Sequence, residues 1–249
     1  MTHTDPVPDS VAPRPLARRL LAEFLGSALL VTVVVGSGIA AAQLSPDDTG
    51  IQLLENSTAT VLGLAILILM LGPVSGAHFN PVVTIADWFL SRGDPQGFSA
   101  GHIAPYLVAQ TAGAVGGSLL ANAMFDVGTT FSDHQRASSG HLLGEVVATA
   151  GLVLLIFSLV RTDRTVVVAP AVGAYIGAAY WFTSSTSFAN PAVSIGRMFS
   201  DTFAGIAPSS VPAFVVAQVV GAAIGVGLAL ALYPSGAAMP HTHQGESHV

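Results

Sequence analysis

A helix needs about 20 apolar residues to cross a hydrocarbon core about 30 Å thick. This sequence supplies six such stretches: Leu16–Leu44, Ile51–Leu71, His102–Met124, Leu142–Val160, Val166–Phe182 and Val211–Tyr233. Only 9% of the residues are charged and 51% are hydrophobic, against about 25% charged in an ordinary soluble domain. The chain is therefore read as a polytopic, all-α membrane protein. The fifth stretch is the shortest and contains Pro170, expected to be tolerated where neighbouring helices satisfy the freed carbonyl. The first run exceeds a signal-peptide core and shows no cleavage site, which predicts a retained span.

Six spans put both ends of the chain on one side. Arg14, Arg18, Arg19, Arg92, Arg161 and Arg164 fall on that side, and only Arg136 and Arg197 on the other. The positive-inside rule makes both termini cytoplasmic, which predicts a multi-pass protein of the cell (plasma) membrane. The formal charge of −6, carried against eight arginines with no basic cluster, excludes nucleic-acid binding. Cysteine is absent, so a disulfide framework and a thiolate metal site are both excluded. Residues 1–15 and 234–249 read as disordered cytoplasmic tails, the second containing histidines. Between them lies one channel-like domain, 16–233, with halves at about 16–126 and 141–233.

Two Asn-Pro pairs interrupt this pattern, Asn80-Pro81 and Asn190-Pro191, 110 residues apart. Asparagine is a strong N-cap, and proline suits the first helical position because its missing N–H would be unpaired there. Each pair opens a short helix-compatible run, Pro81–Leu90 and Pro191–Phe199. Ten residues rise about 15 Å, half a membrane. The lead-ins Gly72–Phe79 and Thr183–Ala189 are expected to be non-helical. Backbone of that kind is tolerated at membrane depth only inside protein or along a water-filled path. The carbonyls of Gly76, Ala77, His78, Phe188 and Ala189 are therefore candidates to line a pore.

The halves repeat one another. Ala22-Glu23-Phe24 and Gly144-Glu145-Val146 open spans one and four, and Gln110 and Gln218 occupy matching places in spans three and six. Three spans per half is odd, so the second copy must insert upside down. Such inverted repeats carry their site at the midplane, built from broken helices. The expected fold has six transmembrane helices plus two re-entrant half-helices in an inverted repeat. Glycines four apart, Gly113/Gly117 and Gly221/Gly225, suit close helix packing in lipid.

These residues give the chain its resemblance to the aquaporin (major intrinsic protein) family. The match runs through Leu16–Tyr233. It rests on His78-Phe79-Asn80-Pro81-Val82-Val83-Thr84, Asn190-Pro191-Ala192, the paired Glu23 and Glu145, and the paired Gln110 and Gln218. The family pattern at the first motif ends in alanine, where this chain has Val82. The resemblance implies a six-helix bundle with a pore in each protomer, assembled as a homotetramer. It implies no cofactor and no metal.

The same resemblance suggests roles for the motif residues. Asn80, Pro81, Val82, Asn190, Pro191 and Ala192 would form the pore centre, with asparagine N–H groups offered to a passing solute. Two helix N-termini there would oppose cations. Glu23 and Glu145, ionisable and just inside spans, need partners. Backbone N–H groups of the re-entrant loops are the expected ones, which makes these residues, with Gln110 and Gln218, scaffold. Family pores narrow at a four-residue filter, with arginine usually directly after the second motif. Here that place is Val193, and gap-free counting puts the other three positions on Thr60, Ala178 and Ser187. Such a filter would be wide, weakly polar and uncharged. The next arginine, Arg197, lies about one helical turn further along and is not assigned to the filter. Ser194 stands where glycerol facilitators typically have aspartate, and an arsenic-detoxification branch of bacterial members has a similarly arginine-free filter.

The expected function is passive passage of small neutral solutes across the lipid bilayer: arsenite or methylated arsenicals, glycerol-like polyols and water. The alternatives are an ion-coupled small-solute transporter, a water-selective channel, and a structural membrane protein that conducts little. No nucleophile triad, phosphate-cradling loop or paired-carboxylate arrangement points to an enzyme.

Overall fold

The computed structural model describes residues 14–234. The tails predicted at 1–15 and 234–249 fall outside these residues except at their inner ends. Among the described residues eight α-helices form: α1 (Leu16–Leu44), α2 (Thr49–Ser75), α3 (Pro81–Leu90), α4 (Ile103–Met124), α5 (Ser139–Arg161), α6 (Val168–Phe182), α7 (Pro191–Gly196) and α8 (Val211–Leu232). Six are long and apolar enough to cross a membrane, three of them with a 3-10 turn at their start counted in, and α3 and α7 are the two half-helices.

The second half repeats the packing of the first. α1 lies against α2 and α4, as α5 lies against α6 and α8. α4 touches α7 and α8 touches α3, while α2 meets α6, and α3 meets α7, across the pseudo-twofold. The glycine pairs make the tight crossings. A Cβ at Gly113 or Gly117 would run into the backbone carbonyls of Phe24 and Ala28, and one at Gly221 or Gly225 into those of Val146 and Ala150. Helices without a hydrophobic drive between them depend on such close approach.

Three local expectations need correction. α2 continues through Pro73 to Ser75, so the first non-helical lead-in begins at Gly76 rather than Gly72. Gly76 ends the helix in the left-handed region (φ 93°) and donates its N–H to Gly72 O at 2.9 Å, a stop that glycine makes at little cost. Pro170 lies in the first turn of α6, just after a 3-10 turn at Thr165–Val167. Its missing N–H falls where helical donors lack partners anyway, so no neighbour has to repair the helix. The run from Pro191 is α-helical only to Gly196 and tightens into a 3-10 turn at Arg197–Phe199.

Candidate pore

Both Asn-Pro pairs cap their half-helices. Asn80 Oδ1 accepts from Val82 N at 3.1 Å. Asn190 Oδ1 accepts from Ala192 N at 3.0 Å and from Val193 N at 3.2 Å. The caps are also tied to each other's loops. Asn80 Nδ2 donates to Ala189 O and Asn190 Nδ2 donates to Phe79 O, both at 2.8 Å. A carboxamide carries two N–H bonds, so each asparagine keeps one beyond the cross-link.

The loops entering the half-helices hold an unfavourable backbone. Ala77, Phe79, Ser187 and Ala189 have φ of 51°, 50°, 53° and 47°, a region that costs non-glycine residues about 1–3 kcal/mol each. Two buried glutamates hold them there. Glu23 accepts from His78 N (3.0 Å), Phe79 N (2.7 Å), Ser75 Oγ (2.6 Å) and Gln110 Nε2 (2.7 Å). Glu145 accepts from Phe188 N (2.9 Å), Ala189 N (2.8 Å) and Gln218 Nε2 (2.7 Å). The glutamines brace the half-helices too: Gln110 Nε2 donates to Thr84 Oγ1 and Gln218 Nε2 to Ser194 Oγ, both at 2.9 Å.

A cavity of about 180 Å³ runs past these loops, room for several waters. Gly76, Ala77, His78, Phe79, Asn80, Ser187, Phe188, Ala189 and Asn190 form one wall. The lining also includes the apolar side chains of Leu64, Ile68, Leu152, Ile156, Val172 and Ile176. His78 turns its ring between Thr84 Oγ1 (3.1 Å from Nδ1) and Asp87 Oδ2 (3.3 Å from Nε2). Pro81, Val82, Pro191 and Ala192 are buried behind the cavity rather than on it. Val82 packs with Val153, Phe157 and Ala222, so the extra bulk over alanine is taken up between helices and not in the lumen.

Of the four filter positions, Thr60, Ser187 and Val193 line the cavity and Ala178 does not. Ala178 is exposed on the outer side of α6. Two positions further along α6 the cavity-lining residue is Tyr180, 3% exposed, whose hydroxyl lies 3.2 Å from Thr60 Oγ1. Helical geometry explains the miss. The cavity face of α6 is the row Val168, Val172, Ile176, Tyr180 at intervals of four, and a residue two positions off that row points to the far side. That row was the signal available in the sequence.

One arginine reaches the cavity from outside the four filter positions. Arg197 lines the cavity and is 2% exposed. Its Nε donates to Ala204 O, and its guanidinium carbon lies 3.5 Å from the centre of the Phe188 ring. Arg136 approaches the same ring at 5.4 Å and donates from Nε to Gly205 O (2.7 Å) and from Nη2 to Phe203 O (3.1 Å). Burial lowers the pKa of Arg136 from its ordinary value, yet arginine stays protonated in proteins.

A model of the family described as major intrinsic protein matches residues 11–188. The chain belongs to the major intrinsic protein family. It is 46% identical over 215 residues to the aquaglyceroporin AqpS of Rhizobium meliloti (strain 1021), a match covering 86% of this chain and 89% of that relative. It is 32% identical over 259 positions to the glycerol uptake facilitator protein of Pseudomonas aeruginosa, covering 88% of this chain and 90% of the facilitator. Its fold matches the X-ray structure of the aquaglyceroporin from Plasmodium falciparum with a TM-score of 0.66 at 19% identity, over 86% of this chain and 95% of that one. The family is one of passive channels, so this major intrinsic protein is a multi-pass membrane channel and not an enzyme.

Proposed function

We propose that this chain passes small neutral, oxygen-bearing solutes together with water, with glycerol-like polyols and arsenite or methylated arsenicals as its solutes. The observation that carries this reading is Val193 on the cavity wall. A short apolar side chain there leaves width, while the hydroxyls of Thr60, Tyr180 and Ser187 offer hydrogen bonds along the same stretch. Hydroxyls both donate and accept, which suits a polyol or a neutral trihydroxy acid. The names of the relatives, an aquaglyceroporin and a glycerol uptake facilitator, support the same solute class.

The protein is further read as a homotetramer of the plasma membrane with both termini cytoplasmic. The arginine distribution supports the orientation. Arg19 bonds Tyr106 near the start of α4, and Arg161 bonds Tyr233 at the end of α8, placing basic residues at the end of the bundle that carries both termini.

Reconstituted vesicles challenged with water, glycerol and trivalent arsenic test the reading. Flux above that of empty vesicles is expected for all three, and no flux for any of them rejects it. Val193→Arg is expected to reduce glycerol and arsenic flux while sparing water; unchanged solute selectivity rejects the role given to Val193.

A further inference from the structure

We propose that Arg197, backed by Phe188 and Arg136, is the charge-selective residue of the mouth farther from the chain termini, holding off cations and orienting a neutral oxygen-bearing solute. The inference rests on the channel reading above and adds a residue outside the four filter positions. Arg197 is buried on the cavity wall, and no carboxylate among the described residues lies within ion-pair distance of it or of Arg136. Both guanidinium groups lean on one aromatic face and on the carbonyls of Phe203, Ala204 and Gly205. Carbonyls and a π face orient a cation without neutralising it. Burying an unpaired charge is expensive, and a well-packed apolar side chain would stabilise the fold better. Two positive charges are thus kept at one mouth, in a low-dielectric setting where their field is strong.

A second observation points to a ligand. Ser187 Oγ is buried without a hydrogen-bond partner among the described residues, on the same cavity as Arg197. Arg197 uses only Nε in bonds to described residues, which leaves its terminal N–H groups free. Donors from Arg197 and hydroxyls from Ser187, Thr60 and Tyr180 therefore line one cavity. A neutral molecule with several hydroxyl oxygens satisfies them together. A cation meets the guanidinium first.

Proteoliposomes test this with proton flux, driven by a potassium diffusion potential at fixed pH, read beside glycerol and water flux. Arg197→Gln is expected to raise proton leak about tenfold or more over wild type and to weaken glycerol flux, with water flux above empty vesicles showing that the variant is folded. A water-conducting Arg197→Gln that is as proton-tight as wild type overturns the inference. If that variant conducts no water, Arg197→His decides. Histidine changes charge near neutrality, so this variant should be tight at about pH 5.5 and leaky at about pH 8, and equal leak at both overturns the inference. A wild type that conducts nothing removes the channel reading instead, which keeps the two failures apart.

Discussion

Asn80 and Asn190 bond each other's loops across the pseudo-twofold, Asn80 to the carbonyl of Ala189 and Asn190 to that of Phe79, both at 2.8 Å. The residue that caps one half-helix therefore also fixes the loop that leads into the other. The two halves of the pore are set by this reciprocal contact between the half-helix caps.

The caps are unequal. Asn190 accepts from two backbone N–H groups and Asn80 from one. Losing a cap costs about 0.5–2 kcal/mol and losing a buried hydrogen bond about 1 kcal/mol more. Asn190→Ala should lower the thermal stability of the detergent-solubilised protein more than Asn80→Ala. Equal or reversed losses in melting temperature would contradict this.

Glu23 and Glu145 hold strained loops by accepting N–H groups, so an amide that offers donors in their place is disruptive. Glu23→Gln should cost about 2–5 kcal/mol. Glu145→Gln should cost less, because Glu23 takes four hydrogen bonds and Glu145 three. Denaturant unfolding of both variants provides the comparison.

Helix crossings predict a position-specific pattern among the glycines. Gly117→Ala and Gly225→Ala put a methyl group against a backbone carbonyl, and overpacking of this kind costs about 1–3 kcal/mol. Gly116→Ala and Gly227→Ala meet nothing within 4 Å and should change stability by about 0.5 kcal/mol or less. Melting curves for the four variants would show a uniform effect if the crossings were not tight.

The α6 row predicts which residue controls width. Tyr180→Ala should raise the flux of polyols larger than glycerol, since it removes a buried ring from the cavity wall. Ala178→Leu, on the exposed outer side of the helix, should leave solute flux within about twofold of wild type. A block by Ala178→Leu with no effect of Tyr180→Ala would reverse the assignment. Stopped-flow light scattering measures both.

The six spans, the two half-helices and the inverted repeat were legible in the sequence because each rests on local chemistry: apolar runs of membrane length, Asn-Pro starts, and matched glutamates and glutamines. Those signals do not depend on what the chain packs against. The wall of the lumen does. Counting along the chain points to Ala178, but a helix turns its side chains through the full circle, and only the packing of α6 against α2 brings Tyr180 to Thr60. Arg197 lies about one turn beyond Val193, and distance along the chain does not reveal its position in space. The 3-10 turn after Gly196, the ring of Phe188 and the carbonyl of Ala204 together bring it to the cavity. Sequence alone determined that this chain builds a broken-helix pore, because periodicity and capping are properties of short segments. Tertiary structure alone decided which side chains face the lumen and where the positive charge stands, because those depend on contacts between segments far apart in the chain.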